Sequence, residues 1–134
     1  MTKDIFISKA KLLQQVLTDL EPHLAESREE QETAHYEIER QIQLCVDLSQ
    51  DIARNWLISR GIIVPTSGRE TFLELGKKKL ISIELSKRLA NASGLRNLIV
   101  HEYGVIDYDI FFSGLKEGHA SFVGFLDAAL KDNK

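Results

Sequence analysis

Apolar residues along this chain recur mainly three and four positions apart, which is the spacing of one face of an α-helix. No segment alternates cleanly between apolar and polar residues, as a half-buried strand would. The clearest apolar seam comprises Ile38, Ile42, Cys45, Ser49, Ile52 and Trp56. The pattern predicts an all-α protein: an antiparallel four- to five-helix bundle that forms a single domain over residues 1–134.

Local signals predict where the first helices begin and end. The first helix is expected from about Asp4 to Pro22, where the proline marks a bend or a break. Ser27 and Glu30 have the spacing of a capping box, which opens a long second helix. Gly61 suits the position just after the end of that helix.

Three further helices are predicted in the second half of the chain. Ser67 opens a short third helix that runs through Leu75. A fourth helix covers about Ser82 to Tyr103, where Gly104 stops it. A fifth helix follows the segment VIDY and presents one apolar face to the bundle.

Composition and targeting signals are those of an ordinary globular protein. Of the 134 residues, 43% are apolar and 28% are charged. The apolar runs are too short to span a bilayer, and the first residues lack the apolar stretch and cleavage site of a secretion signal. Cys45 is the single cysteine, so it cannot form an intrachain disulfide, and one thiol does not make a metal site. We therefore expect a cytoplasmic protein that makes no membrane contact.

Charge is unevenly distributed along the sequence, although the net charge is only −3. The window from Lys77 to His101 contains six basic residues and one acidic residue, whereas residues 26–39 contain six glutamates and one arginine. Such runs are most often solvated helix faces. The alternative is a basic surface for a polyanion. Its candidate substrate-binding residues are Lys77, Lys78, Lys79 and Arg88.

The stretch RNLIVHEYG, residues 96–104, places polar side chains on both sides of an apolar run. On a helix, Asn97 and His101 lie one turn apart on nearly the same line, so the amide can hydrogen-bond the imidazole. Arg96 and Tyr103 lie within about 20° of each other, whereas Arg96 and His101 diverge by about 140°. Arg96 and His101 can therefore share a target only if the arginine bends back or two copies of the helix meet. Taken singly, each of these residues is more often structural than catalytic.

The spacing of an arginine, four residues, a histidine, one residue and a tyrosine resembles the signature of the HepT-like toxins. These toxins are a branch of the HEPN superfamily of small helical ribonucleases. Arg96, Asn97 and His101 match the wider superfamily pattern, and Tyr103 matches the tyrosine of the branch. The chain length, the all-helical prediction, the long second helix and the motif at the end of the fourth helix also resemble that family.

The resemblance implies a homodimeric endoribonuclease that needs no metal and no cofactor, with a composite site where the two motif helices face each other. In such a site His101 would act as a general acid or base and Arg96 would bind the scissile phosphate. Asn97 would orient His101 or contact the RNA. Proteins of this kind often add a carboxylate from the second helix. Asp47 and Asp51 are both candidates, and the sequence does not choose between them.

The resemblance also implies the toxin half of a type VII toxin–antitoxin system. The partner would be an MntA-like nucleotidyltransferase antitoxin that uses ATP to attach AMP to Tyr103, where the added phosphate would repel RNA. Two alternatives stay open. One is a noncatalytic helical partner, or nucleotide-binding subunit, of a nucleotidyltransferase, which does not need the chemistry of His101. The other is a purely structural dimerisation domain in which RNLIVHEYG fixes the packing.

Overall fold

The computed structural model describes residues 3–133 apart from the side chain of Tyr103, and this part of the chain contains helices and no strand. Seven α-helices follow one another in it, with a 3₁₀ turn at Tyr103–Val105. The helices are α1 (Lys3–Leu24), α2 (Arg28–Thr33), α3 (His35–Ser59), α4 (Gly68–Lys77), α5 (Ile83–His101), α6 (Tyr108–Ser113) and α7 (Leu115–Asp132). The predicted all-α bundle is confirmed, although it has more helices than expected.

The four long helices α1, α3, α5 and α7 form the bundle, and α4 packs along α5. In the main core Trp56 and Phe72 each pack edge-on against Phe125, and the single cysteine, Cys45, is fully buried. Below the C-terminal end of α5 lies a second, smaller apolar cluster. Its buried members are Leu20, Ile38, Ile42, Ile99, Phe111, Phe112 and Leu115. Ile99 therefore anchors the motif end of α5 to this cluster.

Side-chain caps fix the beginnings of three helices, as the sequence predicts. The Ser27 hydroxyl accepts a hydrogen bond from the Glu30 amide, and the Glu30 carboxylate accepts one from the Ser27 amide. The bond from the Ser27 amide, followed by the contact with the Ser27 side chain, holds the pKa of the Glu30 carboxyl below its ordinary value. The hydroxyls of Ser67 and Ser82 cap α4 and α5. After α3, Gly61 adopts a φ of 71°, a conformation that strains other residues.

Three helix boundaries in the structure differ from the prediction. Pro22 does not end α1. It lies in the last turn, where it removes the one hydrogen bond that its N–H would donate to the carbonyl of Thr18, and the helix runs two residues further. Ala34 divides the predicted second helix into α2 and α3. Here the buried Gln31 donates a hydrogen bond to the carbonyl of His23 at 2.9 Å, which ties α2 to the end of α1. The predicted fifth helix is divided into α6 and α7 at Gly114.

Candidate active site

Helices α3 and α5 run antiparallel, and two side-chain hydrogen bonds join them within the described residues. Arg96 Nε donates to Asp47 Oδ1 at 2.8 Å. One turn later on α3 and one turn earlier on α5, Gln50 Nε2 donates to the Ser93 hydroxyl at 2.6 Å. Sequence reasoning did not identify Gln50 or Ser93. One sequence signal could have found them. Gln50 follows Asp47 by three residues and Ser93 precedes Arg96 by three residues, so in antiparallel helices the two side chains lie opposite each other.

Of the two candidate carboxylates, the structure places Asp47 beside Arg96. Asp51 lies one turn further along α3 and binds Lys9 of α1 at 2.7 Å. It also binds Arg54 of its own helix. The geometry therefore favours Asp47 and leaves Asp51 in an ion-pair cluster that faces α1.

The side chains of Asn97 and His101 lie at the surface near the C-terminal end of α5. Asn97 and His101 are both exposed. The side-chain oxygen of Asn97, Oδ1, accepts a long hydrogen bond of 3.4 Å from Nη1 of the adjacent Arg96. Among the described residues no hydrogen bond joins Asn97 to His101. The side-chain oxygen of Asn97 is thus directed to the neighbouring cation, and the expected bond that would orient the imidazole is absent from this conformation.

Helix α5 ends at His101, two residues earlier than predicted. Glu102 leaves the helical region (φ −134°, ψ 49°), and Tyr103 begins the 3₁₀ turn. The arithmetic that placed Tyr103 on the line of Arg96 assumed a helix that continues to Tyr103, and that assumption is wrong. The predicted modification site is the side chain of Tyr103, which lies outside the described part of the structure.

The predicted basic residues do not gather around the motif within one chain. The three lysines at 77–79 are exposed at the junction of α4 and α5. Arg96 lies about 20 Å further along α5, at 1.5 Å per residue from the start of that helix. Arg88 binds two carboxylates, Glu84 at 2.6 Å and Glu117 at 3.3 Å, which largely neutralise its charge.

An apolar groove of about 530 Å³ lies beside the motif helix. Leu95 and Leu98 of α5 form part of its wall, and Phe111 of α6 lies opposite. At its edge Val105 is 64% exposed and Ile110 is 72% exposed. Contiguous apolar surface of this kind marks a binding surface more often than a solvated one.

Two further histidines, His35 and His119, are half-buried and hydrogen-bonded. His35 Nδ1 lies 2.6 Å from the buried carboxylate of Glu39, and the Tyr108 hydroxyl donates to the same carboxylate oxygen at 3.1 Å. His119 Nε2 lies 3.0 Å from the carbonyl of Leu17.

Within residues 3–133, no cluster of three or more histidine, cysteine or acidic side chains could hold a metal ion. None of the described helices combines the length and apolar character needed to cross a membrane.

A small helical bundle that presents an arginine and a histidine near one end of a helix, with a carboxylate from a neighbouring helix, defines a protein of the HEPN class. The chain matches the family described as Ribonuclease HepT-like over residues 9–129. It belongs to this family, and the resemblance inferred from the motif is confirmed.

Two relatives and one solved structure extend this assignment. A tRNA nuclease HepT from Aphanizomenon flos-aquae is 38% identical over 77 residues, which are 58% of this chain and 52% of that protein. This chain thus matches about half the length of that relative. An mRNA nuclease HepT from Shewanella oneidensis is 29% identical over 97 residues, which are 72% of this chain and 70% of that protein.

The solved structure is the tri-AMPylated Shewanella oneidensis HEPN toxin in complex with MNT antitoxin. It superimposes on this chain with a TM-score of 0.85 and 26% sequence identity, covering 95% of this chain and 97% of that one. The described helices therefore follow the HEPN toxin fold over nearly the whole chain.

Proposed function

We propose that this protein is the toxin of a type VII toxin–antitoxin system and that it cleaves RNA in the cytoplasm as an endoribonuclease. The observation that carries the proposal is the Arg96–Asp47 pair near the exposed end of α5, with His101 five residues further along the same helix. Family membership supports it, because relatives of this chain are named as tRNA and mRNA nucleases.

The side chains suit RNA cleavage because RNA provides its own nucleophile, the 2′-hydroxyl. The reaction then needs a proton acceptor for that hydroxyl, a proton donor for the leaving 5′-oxygen and a positive charge beside the phosphate. An imidazole can serve as proton acceptor or donor, which is the role of His101. Asp47 engages the Nε edge of Arg96, so the outer N–H groups of the guanidinium are directed to the phosphate oxygens.

A composite site between two copies follows from the divergence of Arg96 and His101. The two side chains leave α5 in directions about 140° apart, so one copy does not direct both at one phosphate. Two α5 helices related by a twofold axis would bring Arg96 of one copy toward His101 of the other. The groove beside α5, with Val105 and Ile110 at its edge, supplies apolar surface that such a homodimer would bury.

The lysines at 77–79 extend the proposed RNA contact away from the scissile bond. They are exposed, and an RNA backbone is long enough to reach both them and the motif. Arg88 contributes less, because Glu84 and Glu117 already bind its guanidinium.

The proposed partner is an MntA-like nucleotidyltransferase antitoxin, as the Shewanella oneidensis toxin is in complex with MNT antitoxin. It would transfer AMP from ATP to the hydroxyl of Tyr103, two residues past the end of α5. The added phosphate would place negative charge beside the motif and oppose the binding of RNA.

RNA cleavage by the purified protein in the presence of EDTA tests this function. We expect the wild type to cleave RNA and His101→Ala to be inactive with unchanged helical circular dichroism, because His101 is exposed. Arg96→Ala should reduce the rate by about 10²-fold, the scale for removing a group that stabilises developing charge. Cleavage that stops with EDTA, or that persists in His101→Ala, would contradict the proposal.

A mixture of the two variants forms the second arm of this experiment and tests the composite site. If each site takes Arg96 from one copy and His101 from the other, a mixed dimer contains one intact site. An equal mixture should then recover roughly a quarter of the wild-type activity. The control adds the double variant Arg96→Ala/His101→Ala to His101→Ala and should recover nothing. A chain that sediments only as a monomer would rule out the composite site.

A further inference from the structure

We propose that Gln50 and Ser93 are positioning residues for the Arg96–Asp47 pair, and that Gly68 is needed because it leaves room for the Gln50 side chain. The expected effect on RNA cleavage rests on the proposed ribonuclease function. The expected effect on the position of Arg96 rests only on the contacts between α3, α4 and α5.

The Gln50–Ser93 and Arg96–Asp47 bonds are consecutive cross-links between two antiparallel helices. Gln50 follows Asp47 by three residues on α3, and Ser93 precedes Arg96 by three residues on α5. The two bonds are therefore about 4.5 Å apart along the helices. Within the described residues these are the side-chain hydrogen bonds that join α3 to α5. The Gln50–Ser93 bond fixes the register of α5 one turn before Arg96.

Burial makes the Gln50–Ser93 bond the more rigid of the two. Ser93 is 2% exposed, whereas the side chains of Arg96 and Asp47 are 25% and 35% exposed. A partly exposed ion pair is weakly held and is compatible with several geometries. If the buried Ser93 hydroxyl loses its partner, no water replaces the lost bond, so this hydroxyl holds the half-buried Gln50 amide in one arrangement. The position of Arg96 thus depends on a contact one turn away.

Gly68, the first residue of α4, provides the space for this contact. A Cβ atom at Gly68 would lie 2.0 Å from Gln50 Nε2, and its three nearest atoms would all belong to the Gln50 side chain. The backbone of Gly68 is not in the left-handed region, so its glycine is needed for space and not for conformation. Gly68→Ala should displace the flexible amide of Gln50 and break its bond to Ser93 without touching α5.

Three substitutions remove the bond from three different helices: Ser93→Ala on α5, Gln50→Ala on α3 and Gly68→Ala on α4. Ser86→Ala is the matched control. Ser86 is 1% exposed and lies two turns before Ser93 on α5, but its hydroxyl donates to the carbonyl of Ile83 in its own helix. Its loss removes a buried hydroxyl of the same helix and leaves the contact with α3 intact.

We expect each of the three substitutions to lower kcat for RNA cleavage by about tenfold with KM changed less than about twofold, because a displaced arginine loses transition-state stabilisation. Ser86→Ala should leave both constants within about twofold of the wild type. Gly68→Ala should have no further effect in the Gln50→Ala background, since it acts only through Gln50. Equal losses in Ser86→Ala, or additive losses in the double variant, would overturn the inference.

The Nε–H resonance of Arg96 in ¹H–¹⁵N spectra provides a readout that does not require cleavage. It should exchange slowly in the wild type and in Ser86→Ala, and it should move toward the position of a free arginine in the three bond-breaking variants. An unchanged resonance in all three would overturn the inference. A wild type that cleaves no RNA would refute the proposed function, while this resonance would still decide whether Gln50 and Ser93 position Arg96.

Discussion

Asp47 and Asp51 are identical side chains one turn apart on α3, yet they bind different partners. Asp47 binds Arg96 of α5, whereas Asp51 binds Lys9 of α1 and Arg54 of its own helix. On the helix the two carboxylates point about 40° apart. This difference is enough to direct them to different neighbouring helices. Asp47 therefore contacts an arginine of the candidate site, whereas Asp51 forms ion pairs with α1 and with its own helix.

Replacing each carboxylate by its amide separates these two roles. Asp47→Asn should lower kcat for RNA cleavage by roughly tenfold or more, because the guanidinium of Arg96 loses the negative charge that fixes its position. Asp51→Asn should change the rate less than about twofold and the free energy of unfolding by less than about 1 kcal/mol, as expected for partly exposed ion pairs. Steady-state kinetics and urea unfolding measure the two effects. Equal kinetic losses would show that contact with Arg96 gives Asp47 no particular role.

Sequence reasoning proposes Arg96 and His101 from their spacing together with the resemblance to the HepT-like toxins, but it cannot choose between Asp47 and Asp51. Both carboxylates are compatible with the same helix face, and only the positions of α1 and α5 around α3 separate them. The orientation of Asn97 fails for a related reason. Helix geometry allows its amide to reach His101, and the adjacent charge of Arg96 attracts its oxygen instead.

At the level of helices, one carboxylate attaches the C-terminal end of α7 to the end of α3. The Trp56 indole N–H donates to Asp132 Oδ2 at 2.5 Å, and the Arg60 guanidinium binds the other carboxylate oxygen. The bond from Trp56, followed by the bond and charge of Arg60, holds the pKa of Asp132 below its usual value. Ionised Asp132 is therefore favoured in the folded state.

This lowered pKa makes the stability conferred by Asp132 depend on pH. A carboxyl whose pKa is lower in the folded chain stabilises fully above its unfolded pKa, about 4, and loses that effect as the pH falls through the folded pKa. Asp132→Asn should therefore lower the free energy of unfolding by about 1 kcal/mol at pH 7, less than a buried hydrogen bond to a charged group contributes, because Asp132 is exposed and solvent screens its charge. The difference from the wild type should shrink toward pH 3. Urea unfolding followed by the fluorescence of Trp56, the single tryptophan, measures it.

Asp127→Asn on α7 is the control for this measurement, because Asp127 is exposed and makes no side-chain hydrogen bond in the described structure. It should leave stability nearly unchanged at both pH values. If the effect of Asp132→Asn were the same at pH 3 and pH 7, the ionised carboxylate would not be what attaches α7.

The predicted helix boundaries succeed where the signal is local and fail where contacts between helices decide. Ser27, Ser67 and Ser82 cap helices through their own side chains, so the sequence alone locates these starts. The break at Ala34 has no glycine or proline to announce it. It depends on the buried Gln31, whose partner is the carbonyl of His23 in another helix.

At the level of the whole molecule, the proposed antitoxin acts on a single tyrosine. Tyr103→Phe should keep its ribonuclease activity, because the phenol hydroxyl is not needed for proton transfer, and should resist silencing by the cognate nucleotidyltransferase with ATP and Mg²⁺. Intact-mass measurement should show AMP-sized additions on the wild type and none on this variant. The added phosphate explains the silencing, since it opposes RNA at the motif.

Tyr36→Phe is the matched control, because Tyr36 is a second tyrosine at the surface, 70% exposed. It should be modified and silenced like the wild type. Modification that persists in Tyr103→Phe would place the acceptor elsewhere, and a Tyr103→Phe variant that is inactive before the partner is added would assign the tyrosine to catalysis or folding.

The burial of Cys45 has a consequence for how this protein can be controlled. Cys45 lies two residues before Asp47 on α3, and burial raises the pKa of its thiol to about 12. At neutral pH the group stays protonated, so it is a poor nucleophile and a poor target for oxidants. Because Cys45 is the only cysteine in the sequence, neither disulfide exchange nor sulfenic acid formation should alter the neighbouring candidate site while the chain is folded. Oxidative stress should therefore leave the activity of the folded protein unchanged.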